Sequence, residues 1–134
     1  MPGLDQDAAG TVAPVPVRVM IVDDSADARF LLRAIIEDAG GELVVAGEAD
    51  GARAALESID AIDPDVVVLD HMMPVLGGME AAPMILARRP GQRLILCSAL
   101  VDDDLRAKAA AAGIAECVGK DEIEAIPRIA LRLA

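Results

Sequence analysis

Aromatic residues are almost missing from this chain. It holds no tryptophan and no tyrosine, and Phe30 is its one phenylalanine. Any core therefore has to be assembled from Val, Ile, Leu, Met and Ala. Basic residues are scarce as well: 12 Lys and Arg face 23 Asp and Glu, a formal net charge of −11. That surface lacks the cationic patch through which proteins neutralise phosphates, which argues against binding of nucleic acid or anionic membrane by this chain alone. No stretch approaches the ~18 consecutive apolar residues of a membrane span. The first residues form neither a basic segment nor an apolar one, so no secretory signal is expected. Cysteine is limited to Cys97 and Cys117. Both sit in apolar runs and lack C-x-x-C spacing, so they read as reduced packing residues rather than a disulfide, zinc or redox pair. A reducing, cytoplasmic compartment suits that reading.

What the chain does contain is a regular alternation. At 134 residues, 54% of them hydrophobic, it is sized for one compact domain. Residues 1–16 carry three prolines and two glycines without a hydrophobic period, and read as a flexible leader to a domain over 17–134. Apolar strands are expected at Val17–Val22, Leu43–Ala46, Asp65–Leu69, Arg93–Cys97 and Ile114–Val118. Helices are expected between them, over about 26–39, 51–59, 78–88 and 102–112, with a last one from about Glu122. In the first, Leu31/Ile35 and Leu32/Ile36 are spaced to share a buried face. Pro83 is expected in the first turn of its helix, and Pro127 to shorten or kink the last. Strands that read as continuous apolar runs are buried on both sides, so the pattern implies an α/β fold, a doubly wound five-stranded parallel sheet with helices on both faces.

In such a sheet, ligands bind beyond the carboxyl ends of the strands. Those ends carry Asp23 and Asp24, then Asp70, then Ser98, then Lys120. Taken singly each has a plain structural reading; Asp24 or Ser25, for instance, suits the cap of the first helix. Taken together, three carboxylates, a hydroxyl and an ammonium converge on one edge. Close carboxylates repel, and a hard divalent cation with oxygen ligands, Mg²⁺ above all, relieves that. Gly77-Gly78 reads as backbone permissiveness before a helix, and Pro74 as a brace after Asp70. No G-x-G-x-x-G or P-loop follows the first strand, which weighs against a nucleotide-binding module.

Val19-Met-Ile-Val-Asp23-Asp24-Ser25, Val67-Val-Leu-Asp70-His-Met-Met73-Pro74, Gly77-Gly78, Cys97-Ser98-Ala99 and Lys120 together resemble the receiver domain of two-component response regulators. The likeness runs from about Val17 to the C-terminus, with all motifs in family order. It implies a flavodoxin-like sheet of order 2-1-3-4-5, with Asp70 as phosphoacceptor from a histidine kinase or histidine phosphotransfer protein. It implies Mg²⁺ held by Asp23, Asp24, Asp70 and the Met72 backbone carbonyl, and Lys120 paired with the phosphoryl oxygens. Ser98 would donate a hydrogen bond to the phosphoryl group, and the small Ala99 would leave room for it. The same resemblance makes the fourth helix, fifth strand and fifth helix the face for a protein effector or a second copy of the chain.

Three departures from that pattern stand out. Cys117 occupies the position three before the lysine, where the family usually has an aromatic switch residue. Asp121 stands where proline commonly follows the lysine, so an ordinary trans bond is expected there. His71 occupies a position that is usually apolar, and is read as structural. Met72 and Leu100, both bulky and apolar, flank the phosphoryl site and are expected to slow hydrolysis of an aspartyl phosphate. Two alternatives remain at this stage. One is a Mg²⁺-dependent phosphohydrolase with an aspartyl nucleophile, disfavoured because Met72 replaces the second Asp such enzymes need; the other is a scaffold that works without phosphorylation.

Overall fold

The computed structural model describes residues 15–134; the leader expected over 1–16 lies, apart from its last two residues, outside them. Strands and helices alternate as β1 (Val17–Val22), α1 (Ala26–Glu37), β2 (Leu43–Ala49), α2 (Ala52–Ile62), β3 (Val66–Asp70), α3 (Gly78–Arg88), β4 (Arg93–Ser98), α4 (Asp103–Ala111) and β5 (Glu116–Gly119). A 3-10 segment, Lys120–Ala125, then leads into α5 (Ile126–Leu133). The strands form one sheet of order β2-β1-β3-β4-β5, and every neighbouring pair is parallel. This is the expected doubly wound architecture.

The two-residue period of a strand divides the core. Met20 and Val22 of β1, Val67 and Leu69 of β3, and Leu94 and Leu96 of β4 face α2, α3 and α4, whose Ile59, Ile85 and Leu105 pack onto them. Val19 and Ile21, Val66 and Val68, and Ile95 and Cys97 face the other way, onto Leu32 and Ile36 of α1 and Ile126 and Ile129 of α5. Burying one such aliphatic side chain completely contributes about 1.5–3 kcal/mol. With only aliphatic residues available, uninterrupted runs of them in the three central strands supply both layers. Phe30 takes no part, being 75% exposed.

Local expectations failed in three places. Leu31 does not share the buried face of α1; it is 50% exposed while Leu32 and Ile36 are buried. A helix lying on a sheet touches it through a narrow stripe, and here only one of the two i, i+4 rows reaches the sheet. Pro83 lies in the second turn of α3, since that helix starts at Gly78. The Met79 carbonyl thereby loses its intrahelical donor, at low cost because Pro83 is on the exposed side where water can substitute. The last α-helix begins at Ile126 rather than Glu122, whose φ/ψ of −129°/27° are not helical. Pro127 opens that helix instead of kinking it, because a first-turn residue needs no N–H partner.

Candidate functional site

The strand order reverses at β1, and the carboxyl ends of β1 and β3 therefore open into a crevice. Asp23 follows β1 and is fixed by its backbone: its N–H donates to the Ala49 carbonyl at 3.1 Å. Its Oδ1 accepts from the Ser25 N–H at 2.9 Å. Ser25, not Asp24, caps α1, with Oγ accepting from the Ala28 N–H at 3.2 Å. Asp24 is thereby free to project its exposed carboxylate over the crevice. Asp70 ends β3, in register with Cys97 of β4, and is buried like Asp23. Carboxylate oxygens of Asp23, Asp24 and Asp70 all lie within 4.8 Å of one another.

Lys120 answers part of this charge. It is the first residue after β5, and its half-exposed side chain brings Nζ to 2.8 Å from Asp70 Oδ1 and 3.8 Å from Asp23 Oδ2. The ammonium is the partner of the buried Asp70 Oδ1, which meets no further donor among the described residues. Burial pushes the Asp23 carboxyl above its ordinary value; the charges of Asp70 and Asp24 add to that, against the Ser25 N–H and Lys120. The Lys120 ammonium loses some hydration, which alone would lower its pKa, but its pairing with Asp70 and Asp23 outweighs this and holds it above its usual value. Three carboxylates against one ammonium leave an uncompensated excess of negative charge. A hard divalent cation fits this donor set, since it would neutralise that excess and give the buried Asp70 carboxylate a second positive partner.

The neighbouring strand end adds Ser98, buried, with Ala99 and Leu100 exposed in the loop that follows. Met72 lies in the β3–α3 loop with its side chain 74% exposed, and Leu100 is 73% exposed. Both line one cleft together with Ser98 and Ala99. Cys117 stands apart: it is buried in the layer beneath α4, beside Leu105 and Ile114. Both cysteines are free. They face opposite sides of the sheet, and burial raises the Cys97 thiol to about 11. All peptide bonds among the described residues, the one after Lys120 included, are trans.

Two residues near the crevice, Arg29 and Glu80, escaped the sequence reading, and a third, His71, makes a contact that it did not foresee. Arg29 Nη1 donates to the Asp23 backbone carbonyl at 2.6 Å while its Nε bonds Glu48 at 3.2 Å. Its six-residue spacing from Asp23 matches no motif. His71, read as structural, places Nδ1 2.9 Å from Ser98 Oγ. Glu80 accepts from the Gly77 N–H at 3.0 Å, a contact its three-residue spacing could have signalled. The two glycines also act differently from expectation. Neither has a positive φ. A Cβ on Gly77 would stand 2.5 Å from the His71 carbonyl oxygen, and one on Gly78 would strike that of Asp70. Space, not backbone freedom, requires glycine at both.

A family model for the response regulator receiver domain matches residues 19–129. The chain belongs to the response regulator receiver domain family. Among curated proteins, the receiver is 39% identical to chemotaxis protein CheY of Thermotoga maritima over 103 residues, which are 77% of this chain and 84% of that protein. It is 37% identical to protein-glutamate methylesterase/protein-glutamine glutaminase 1 of Rhodospirillum rubrum over 107 residues, 78% of this chain but 27% of that longer protein. Among solved structures it resembles the signal receiver domain of the response regulator NarL from Mycobacterium tuberculosis, with TM-score 0.77 and 33% identity over 88% of this chain and 98% of that one. Membership establishes the signalling class. The match to the methylesterase lies within a fraction of its length and carries no esterase chemistry to this receiver.

Proposed function

We propose that this receiver is a phosphorylation-controlled signalling module whose phosphoacceptor is Asp70. The observation that carries the reading is the buried Asp70 carboxylate at the end of β3, ringed by Asp23, Asp24 and Lys120. One carboxylate oxygen attacks the phosphorus of a phosphohistidine on a histidine kinase or phosphotransfer protein, or of a small acyl phosphate. An O–P bond to Asp70 forms as the P–N or P–O bond to the donor breaks, and the departing group keeps the bonding electron pair. Asp23, Asp24, Asp70 and the Met72 carbonyl would hold Mg²⁺, which supplies positive charge to the phosphoryl oxygens and offsets the repulsion among the acids. Lys120 steadies the same oxygens from the β5 side. Ser98 then donates its hydroxyl proton to the phosphoryl group, with the small Ala99 leaving room.

A mixed anhydride formed this way biases a two-state domain, and the altered loops change which partner the receiver holds. With Cys117 in the core where the family has an aromatic residue, the relay runs through Ser98 and the β4–α4 loop. Output falls on the face made by α4, β5 and α5, toward a protein effector or a second copy of the chain. No helix among the described residues is long and apolar enough to cross a membrane; with two buried free thiols, a reducing cytoplasmic setting suits the module. Incubation with acetyl phosphate or phosphoramidate and Mg²⁺, followed by intact mass measurement, tests the reading. The wild type gains one phosphoryl group and Asp70→Ala gains none; an unlabelled wild type, or an equally labelled variant, overturns it.

A further inference from the structure

Ser98 has one hydroxyl proton, and its Oγ has three close partners. Oγ donates to the Leu100 carbonyl at 3.1 Å and accepts weakly from the Leu100 N–H at 3.4 Å. Giving that proton to the Leu100 carbonyl assigns His71 Nδ1, 2.9 Å away, as the donor of the remaining contact, because Ser98 has no second proton to offer. A directed chain results, from His71 Nδ1–H to Ser98 Oγ–H to the Leu100 carbonyl. Among the described residues, no hydrogen bond joins Ser98 to Asp70 or Lys120. The histidine is itself held at both ends of its backbone. Its N–H donates to the Cys97 carbonyl at 2.8 Å and its carbonyl accepts from the Gly78 N–H at 2.9 Å. The ring lines the cleft with Met79, Ser98 and Leu105.

We propose that His71 is a positioning residue that latches the Ser98 hydroxyl into the β4–α4 loop, so that an arriving phosphoryl group has to take that hydroxyl out of an existing hydrogen-bonded chain. The inference rests on the reading of Asp70 as phosphoacceptor and deepens it. An apolar side chain at position 71 would leave the Ser98 hydroxyl to rotate with only its own loop as partner. The imidazole adds one part-buried bond to the resting arrangement and none to the phosphorylated one. It thus sets a threshold for the switch. The net worth of one such bond corresponds to a factor of about three to ten in an equilibrium constant.

Beryllofluoride with Mg²⁺, a non-covalent mimic of an acyl phosphate, serves as the probe, with affinity read by titration calorimetry. His71→Leu binds it about three- to tenfold more tightly than wild type, whereas His71→Asn, which keeps a donor near the Nδ1 position, stays within about twofold. In a Ser98→Ala background His71→Leu changes nothing, which a merely structural role for the ring would not produce. Unchanged or weakened binding by His71→Leu overturns the latch while leaving the acceptor reading intact. A wild type that binds no beryllofluoride overturns the acceptor reading and the latch with it. Should His71→Leu fail to fold, long-range ¹H–¹⁵N spectra of the wild-type imidazole decide: Nδ1 carries the proton at rest and its signal moves on saturation with beryllofluoride. An unprotonated or unmoved Nδ1 overturns the proposal.

Discussion

Substituting Gly78 by alanine adds one methyl group and should damage both the fold and the site. Gly78 is the first residue of α3. Its added Cβ would be driven against the Asp70 carbonyl oxygen and would stand 2.6 Å from Leu96 Cδ1, where ordinary contact begins at 3.4 Å. Neither neighbour can give way easily. Asp70 is held in register with Cys97, and Leu96 is completely buried. The start of α3 must instead retreat by about 1 Å, and overpacking of this kind costs about 1–3 kcal/mol. For a domain of this size that corresponds to a fall in Tm of roughly 4–12 °C. That retreat drags the β3–α3 loop, which carries Met72, and a misplacement of about 1 Å in a site can cost about 10²-fold in rate. Gly91→Ala is the control, since a Cβ there meets open space and no left-handed φ is involved. It should gain up to about 1 kcal/mol from the unfolded chain. Melting curves and the initial rate of labelling by acetyl phosphate, measured on both variants, check this. Gly78→Ala melting and labelling like wild type would refute the close-approach argument.

Other consequences are equally direct. Because the Asp23 carboxyl is raised in the folded state, chiefly by burial, the unfolded chain loses that proton first as pH rises above 3.8. Its contribution in metal-free protein therefore makes stability fall with pH across the interval up to the raised folded-state value. Urea titrations in chelator from pH 3 upward should show that slope diminished in Asp23→Asn, which keeps an acceptor for the Ser25 N–H; an identical slope would contradict it. Met72→Asn should speed decay of the acyl phosphate severalfold by admitting water, as followed by the loss of added mass with time; no acceleration counts against the shielding role. Val75, exposed and with a φ of 72°, holds a conformation that costs a β-branched residue about 1–2 kcal/mol. Val75→Asn should accordingly raise the melting temperature by a few degrees, and a lower one would refute the strain.

The fold was legible because its central strands are buried on both sides and leave an unmistakable signature. Val66–Val68 and Leu94–Leu96 carry no polar residue, and the acids and hydroxyl stand where those runs stop. That same punctuation exposed the site: Asp23, Asp70 and Ser98 each follow directly on an apolar run, Asp24 stands one residue later, and Lys120 follows Val118-Gly119. Periodicity was weaker wherever a contact is set in three dimensions. Leu31 has the spacing of a core residue, yet it lies on the row of α1 that the sheet does not cover. Pro83 was misplaced because a proline on the exposed face of a helix is tolerated beyond the first turn. Arg29 and His71 act through partners 6 and 27 residues away. Those pairings depend on the meeting of α1 with the β1 end, and of the β3 loop with β4.

The central claim is that one particular carboxylate, at the end of β3, receives the phosphoryl group. Reduction of the labelled protein with borohydride converts an aspartyl phosphate to homoserine, and peptide mass spectrometry then reads its position. Homoserine at position 70 alone is the predicted result. Homoserine at 23 or 24, or an acid-labile phosphate on His71 with Asp70 unmodified, would contradict the account.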